Sequence, residues 1–142
     1  MSPPFGLAEG ARVTIDSAPL IYYLEDHKTF KLFYAPLFKA EADGLVEFVI
    51  SSIAVAEVLT GPLKAGDEAL ANRYRRALSV WEIVVLDAEL AALAARLRAS
   101  HRLKLPDAIH AATAIATGSV ALVTHDRDFS GLKGMRIING AA

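Results

Sequence analysis

ALVTHDRDF, residues 121–129, starts as a short apolar run and finishes on two carboxylates, Asp126 and Asp128. A strand with no polar alternation is what a sheet needs when both of its faces are covered. The reading over residues 120–124 is therefore a buried parallel strand that delivers acids at its carboxyl end. The same grammar recurs at the other end of the chain, where residues 13–15 form a β-branched run closed by Asp16. Further strands are read over residues 46–50, 82–86 and 135–138.

Helical patterns fill the intervals. Residues 17–26 carry Pro19 in the first turn, where a missing N–H costs nothing. Residues 29–42 present Phe30, Phe33, Leu37 and Phe38 as an apolar stripe. Ser51 and Ser52 offer an N-cap for a short helix through Thr60, which Gly61 and Pro62 are expected to end. Residues 67–78 form an arginine-rich helix. Asp87 caps another, in which Leu90, Leu93, Ala94 and Leu97 keep the i, i+3, i+4, i+7 spacing. Pro106 opens a helix of small residues that ends at Gly118. Strands alternating with amphipathic helices define an α/β fold around a mostly parallel sheet.

The totals agree. A chain of 142 residues with 54% hydrophobic and 22% charged residues is one globular domain. Residues 1–12, rich in Pro and Gly, read as a flexible arm, and residues 13–142 as the domain. The net charge of -1 gives no global basic signature, so any contact with nucleic acid must use local charge. The absence of cysteine excludes disulfides, thiolate-bound zinc and thiol catalysis. The apolar stretch 45–60 is broken by Glu47 and Glu57 and is too short to span a bilayer. No membrane contact and a cytoplasmic location are expected.

In an open parallel sheet, ligands bind beyond the carboxyl ends of the strands, where the strand order reverses. Asp16 and Asp126 lie at such ends, Glu57 on the helix after the second strand, and Asp107 in the first turn of the helix before residues 120–124. Each has an ordinary explanation. Asp16 caps a helix, Asp107 complements a helix dipole, and Asp126 and Asp128 suit a turn. Glu57 resists one, because it is the only charge in an otherwise apolar or small helix, SIAVAEVLTG. If the four converge, each like-charged pair ~4 Å apart costs on the order of 4 kcal/mol at an effective dielectric near 20. A hard divalent cation relieves that repulsion, and oxygen ligands favour Mg²⁺ or Mn²⁺.

The pieces IDSAPLIYYLE around Asp16, SSIAVAEVLTGP around Glu57, LKLPDAIHAATA around Asp107 and ALVTHDRDF around Asp126 resemble, in that order, the PIN-domain ribonucleases, and most of all the VapC-type toxins of toxin–antitoxin pairs. The resemblance implies a PIN-like three-layer α/β/α fold and a Mg²⁺- or Mn²⁺-dependent endoribonuclease, a phosphodiester hydrolase. It makes Asp16, Glu57, Asp107 and Asp126 the catalytic set, with Asp16 and Asp107 as metal ligands. Asp126 is preferred to Asp128 as the fourth acid, and one metal or two stays open. Ser17 and Thr124 are expected to orient the acids. Implied partners are RNA, a cognate VapB-like antitoxin and a second copy in a homodimer. A PIN scaffold that binds RNA or protein without cutting is the alternative.

Three further features need a role. Arg96, Arg98, His101, Arg102 and Lys104 precede Asp107 and read as a solvated helix end, or as a rim that grips phosphate. His110, one turn after Asp107, reads as a satisfied core histidine, or with His125 as part of a mixed histidine–carboxylate site. Tyr22, Tyr23, Phe30, Phe33 and Phe38 read as core, with some left for a dimer surface or an antitoxin groove.

Overall fold

The computed structural model of the chain describes residues 2–127, 129 and 132–141. Asp128 lies outside the described residues. Five parallel strands, β1 (Ala11–Ile15), β2 (Val46–Ser51), β3 (Glu82–Val84), β4 (Ala121–Thr124) and β5 (Arg136–Asn139), lie in the order β3-β2-β1-β4-β5. The chain builds outward from β1 to β2 and β3, then crosses back to place β4 on the other side of β1. The order therefore reverses between β1 and β4, where Val13 pairs with Ala121 and Ile15 with Val123.

Six helices cover the sheet: α1 (Ser17–Leu24), α2 (Phe30–Ala42), α3 (Ser52–Lys64), α4 (Glu68–Leu78), α5 (Ala88–His101) and α6 (Leu105–Ala116). The pleat divides the strands between two cores. Val13, Ile15, Phe48, Ile50, Ala121 and Val123 pack on one side with Leu20, Tyr34, Leu37, Phe38, Val58 and Leu78 from α1 to α4. Leu122 faces the other side, against Leu90, Ala94 and Leu97 of α5 and the alanines of α6. Ala108, Ala111, Ala112 and Ala114 are fully buried, so small side chains let α6 lie close over β1, β2 and β4. Three layers result, α/β/α.

Several element boundaries differ from the sequence reading, each for a local reason. Helix α3 does not stop at Gly61 and Pro62 but runs through both to Lys64, with Pro62 buried. A proline disfavours helix in the preceding residue partly by crowding its Cβ, which Gly61 lacks, and the buried Pro62 ring finds a packing site. Strand β3 ends at Val84 rather than residue 86, because its partner β2 ends at Ser51, opposite Val84. Leu86 then gives its N–H to Ser52 Oγ at 3.1 Å. On α2 the buried positions are Tyr34, Leu37 and Phe38, while Phe33 is exposed and packs on Phe5, with ring centroids 5.2 Å apart. The residues ahead of β1 include a short 3-10 turn, Pro4–Gly6, and a buried Leu7.

Tyr34 ties three elements together. Its hydroxyl donates to the Thr124 carbonyl at 2.9 Å and accepts the Gly140 N–H at 3.1 Å. The approach at Gly140 leaves no room for a side chain: a Cβ there would stand 2.5 Å from Tyr34 Oη and 2.8 Å from Phe33 Cδ1. Tyr34 is fully buried and hydrogen-bonded, so it has nowhere to move. Gly140→Ala is expected to lower stability by about 1–3 kcal/mol, the usual range for overpacking, as read from urea unfolding midpoints. An unchanged midpoint would mean that the C-terminal segment moves away without cost.

Candidate active site

The site forms where the strand order reverses, beyond the carboxyl ends of β1 and β4. Asp16 extends β1 by one residue, with its N–H on the Val123 carbonyl at 2.8 Å, and is the N-cap of α1. Its Oδ1 accepts the Ser17 N–H at 2.6 Å, and its Oδ2 accepts the Thr124 hydroxyl at 2.8 Å. The capping explanation and the site explanation are thus one arrangement: the cap fixes the carboxylate where β1 meets β4. Thr124 Oγ1 in turn accepts the Asp126 N–H at 3.2 Å, linking the ends of the two strands.

Glu57, from the middle of α3, and His110, from α6, meet at this point. His110 Nε2 lies 2.9 Å from Glu57 Oε1 and 3.2 Å from Asp16 Oδ1. These distances mark an Nε2–H that donates to both carboxylates. The sequence reading left Glu57 without an ordinary explanation. The glutamate, a third exposed, turns its carboxylate to a buried histidine. Burial opposes a charge on His110, but the hydrogen bond to Glu57 and the charges of Asp16, Glu57 and Asp107 outweigh it, holding its pKa above the usual histidine value.

His110 is therefore not a satisfied core histidine. Its Nδ1 is buried with no partner, while its Nε2 belongs to the acid cluster. It does not combine with His125, which sits in a separate aromatic group. His125 Nδ1 lies 2.7 Å from Tyr34 Oη. Because the one tyrosine hydrogen goes to the Thr124 carbonyl, Nδ1 carries the proton of this histidine. Burial, then the charges of Arg127 and His27, push the His125 pKa down.

Asp107 lies in the first turn of α6. Its carboxyl hydrogen-bonds that of Asp126. Its pKa is pushed up to about 7, first by burial, then by that bond and by the charges of Asp16 and Asp126, with His110 opposing. All four singled-out acids are thus near the reversal point, from four chain segments. Among the described residues, the group whose potential ligand atoms lie within 4.8 Å of one another is Asp16, Glu57 and His110. Asp107 joins through Asp126 and the shared field.

This donor set fits a hard divalent cation. The Asp107 carboxyl, pushed up to about 7 first by burial and then by Asp126 and Asp16, stands among other acids whose charge a cation would offset. Asp16 and Glu57 bring carboxylate oxygens, the donors preferred by Mg²⁺ and Mn²⁺, with His110 Nε2 beside them. Arg96, Arg98, Arg102 and Lys104 are exposed at the end of α5 and the turn into α6. Arg98 Nε reaches back to the Leu103 carbonyl at 3.3 Å. Two positioning features were not legible in sequence: the shared Nε2–H of His110 and the tyrosine anchor beneath His125. A histidine in a helix of small residues was the visible trace of the first.

The sequence profile of the PIN domain matches residues 13–134. A toxin–antitoxin complex from Klebsiella pneumoniae holds a chain 30% identical to this one, with a TM-score of 0.68, covering 87% of this chain and 94% of that one. VapBC2 from Rickettsia felis, solved bound to a fragment of promoter DNA, is 22% identical with a TM-score of 0.71, covering 90% and 98%. VapC20 from Mycobacterium tuberculosis, described as a toxin that cleaves the sarcin–ricin loop, is 17% identical with a TM-score of 0.62, covering 82% and 91%. No curated protein matches the sequence. The chain belongs to the PIN domain family. Among the described residues no helix is long and apolar enough to cross a membrane.

Proposed function

We propose that this chain is the toxin of a type II toxin–antitoxin pair and acts as a Mg²⁺- or Mn²⁺-dependent endoribonuclease. The observation that carries the reading is the meeting of Asp16 and Glu57 at the β1–β4 reversal, with Asp107, pushed up to about 7 by burial and then by Asp126 and Asp16, in the same field. The toxin–antitoxin complex that is 30% identical supports the biological setting. The sarcin–ricin loop cleavage of the Mycobacterium protein supports RNA as the substrate class.

In this reading Asp16 and Asp107 would hold the cation. When bound, it lowers the pKa of water and offsets charge on the phosphate. Glu57, fixed by His110, either joins the ligands or orients the attacking water. Asp126 completes the pocket beside Asp107, and Thr124 holds Asp16 in place. The exposed arginines near the end of α5 supply the local positive charge that the net charge lacks. A VapB-like antitoxin silences the site with a basic side chain paired to the acids, and the toxin works as a homodimer.

Purified protein, free of any partner, is expected to cut a structured RNA mixture in Mg²⁺ or Mn²⁺ and to leave it intact in EDTA. Cleavage that survives EDTA would sink the metal mechanism. A folded protein that binds Mn²⁺ but cuts none of a broad set of RNAs would favour the non-cutting scaffold.

A further inference from the structure

We infer that Tyr22, His27, Phe30 and His125 form a nucleobase subsite, a shelf on which an unpaired base stacks while a phosphate of the same strand lies at the acids. This deepens the ribonuclease reading and rests on it.

Position is the first argument. His125 lies between Thr124, which holds Asp16, and Asp126, which bonds Asp107. The shelf is therefore tied through one residue to the segment that holds Asp16 and carries Asp126. Its rings touch one another: His125 lies 4.9 Å from Tyr22 and 4.2 Å from Phe30, centroid to centroid, and His27 stacks on Phe30 at 4.6 Å and 9°.

Exposure is the second. Tyr34, Phe38 and Phe48 are buried in the core beneath, whereas all four shelf rings are only half-buried and keep part of their surface open. Partly open aromatic rings on the segment next to these acids offer what an unpaired base needs, since every base has a π-face. A paired base does not present that face, so the shelf selects loops, bulges or single strands over duplex.

Rigidity is the third. His27 Nδ1 accepts the N–H groups of Thr29 at 3.3 Å and Phe30 at 3.1 Å, which locks the ring at the start of α2. His125 is held by Tyr34. The two locked tautomers leave an Nε2–H on His27 and a bare Nε2 on His125, one donor and one acceptor at the shelf edge. A preformed shelf loses little entropy on binding. Arg127, exposed and close to His125, adds positive charge for the backbone of the same strand.

The test is anisotropy titration, in EDTA, of a labelled single-stranded RNA oligonucleotide and of a series carrying one abasic position each. Wild type is compared with His125→Ala and His125→Phe. His125→Ala is expected to weaken binding about tenfold, within the range of a single stacking contact. His125→Phe, which keeps the ring but loses the Tyr34 hydrogen bond, is expected to restore most of it. One abasic position is expected to reproduce the loss and to add nothing to His125→Ala. Wild-type affinity in His125→Ala overturns the subsite and leaves the shelf to a protein partner. So does a His125→Phe variant as weak as His125→Ala, which would assign the residue to the Tyr34 network alone. Failure of wild type to bind any RNA, in EDTA and in Ca²⁺ alike, would overturn the ribonuclease reading itself.

Discussion

Asp16→Asn is expected to reduce RNA cleavage by about a thousandfold while leaving the melting temperature within a degree or two of wild type. The two halves of this result have separate causes. Asparagine caps a helix about as well as aspartate, and its carbonyl oxygen can still accept the Ser17 N–H that Asp16 Oδ1 accepts at 2.6 Å. Its amide nitrogen would face Thr124 Oγ1, now 2.8 Å from Asp16 Oδ2. A hydroxyl rotates to accept as readily as to donate, so the link between β1 and β4 survives. What is lost is the anionic oxygen that a cation needs, because an amide N–H₂ cannot ligate. The check is single-turnover cleavage beside a thermal melt of the same preparation. Cleavage within about threefold of wild type would remove Asp16 from the metal ligands, since losing a ligand costs several kcal/mol of transition-state stabilisation.

Asp107→Asn is expected to make the metal-free protein more stable at pH 8, not less. In the folded chain the Asp107 carboxyl titrates near 7, raised by burial, by its bond to Asp126 and by the neighbouring acids. An unfolded aspartate titrates near 4. Between those values the folded state holds the proton more tightly, so stability falls as the pH rises through this window and levels off above it. The wild type thus carries its greatest penalty at pH 8 and almost none near pH 4. Asparagine never ionises and escapes it.

The full linkage for a carboxyl moved from near 4 to about 7 is on the order of 4 kcal/mol. The site is half open, and solvent screening brings the expected gain to about 1–2 kcal/mol. That is a rise of about 3–8 °C in EDTA at pH 8, shrinking toward zero near pH 4. Added Mg²⁺ should reverse the order, because it stabilises wild type by binding the folded state and has little hold on the variant. A variant that melts lower than wild type in EDTA at pH 8 would show that the carboxylate is neutralised by some other group.

The two variants divide the cluster by what each acid does for the fold. Asp16 is built into the architecture as a cap and a cross-strand acceptor, so its exchange is silent for stability. Asp107 carries a penalty of burial and repulsion that protonation relieves at low pH and that a bound cation would relieve at high pH. An excess of charge that weakens the empty protein is the expected signature of a site kept for chemistry rather than for folding.

Much of this arrangement follows from local sequence alone. Mostly apolar, β-branched runs such as ALVT, and FVI within β2, suit strands covered on both faces, and their alternation with helices leads to the parallel three-layer fold. The position of each acid at a strand or helix end was readable for the same reason, since caps and turn residues act within three or four positions of themselves. Tertiary structure decided the rest. Whether α3 ended at Gly61 or passed through Pro62 depended on a packing site for the proline ring. Whether Glu57 was an oddity or a site residue depended on His110, which is 53 residues away in sequence and 2.9 Å away in space. The tautomer of His125 depended on Tyr34, whose single hydroxyl hydrogen was already committed to Thr124. Each of these is a contact across the fold, settled by which helices share a face of the sheet, and a local pattern of hydrophobicity carries no record of that choice.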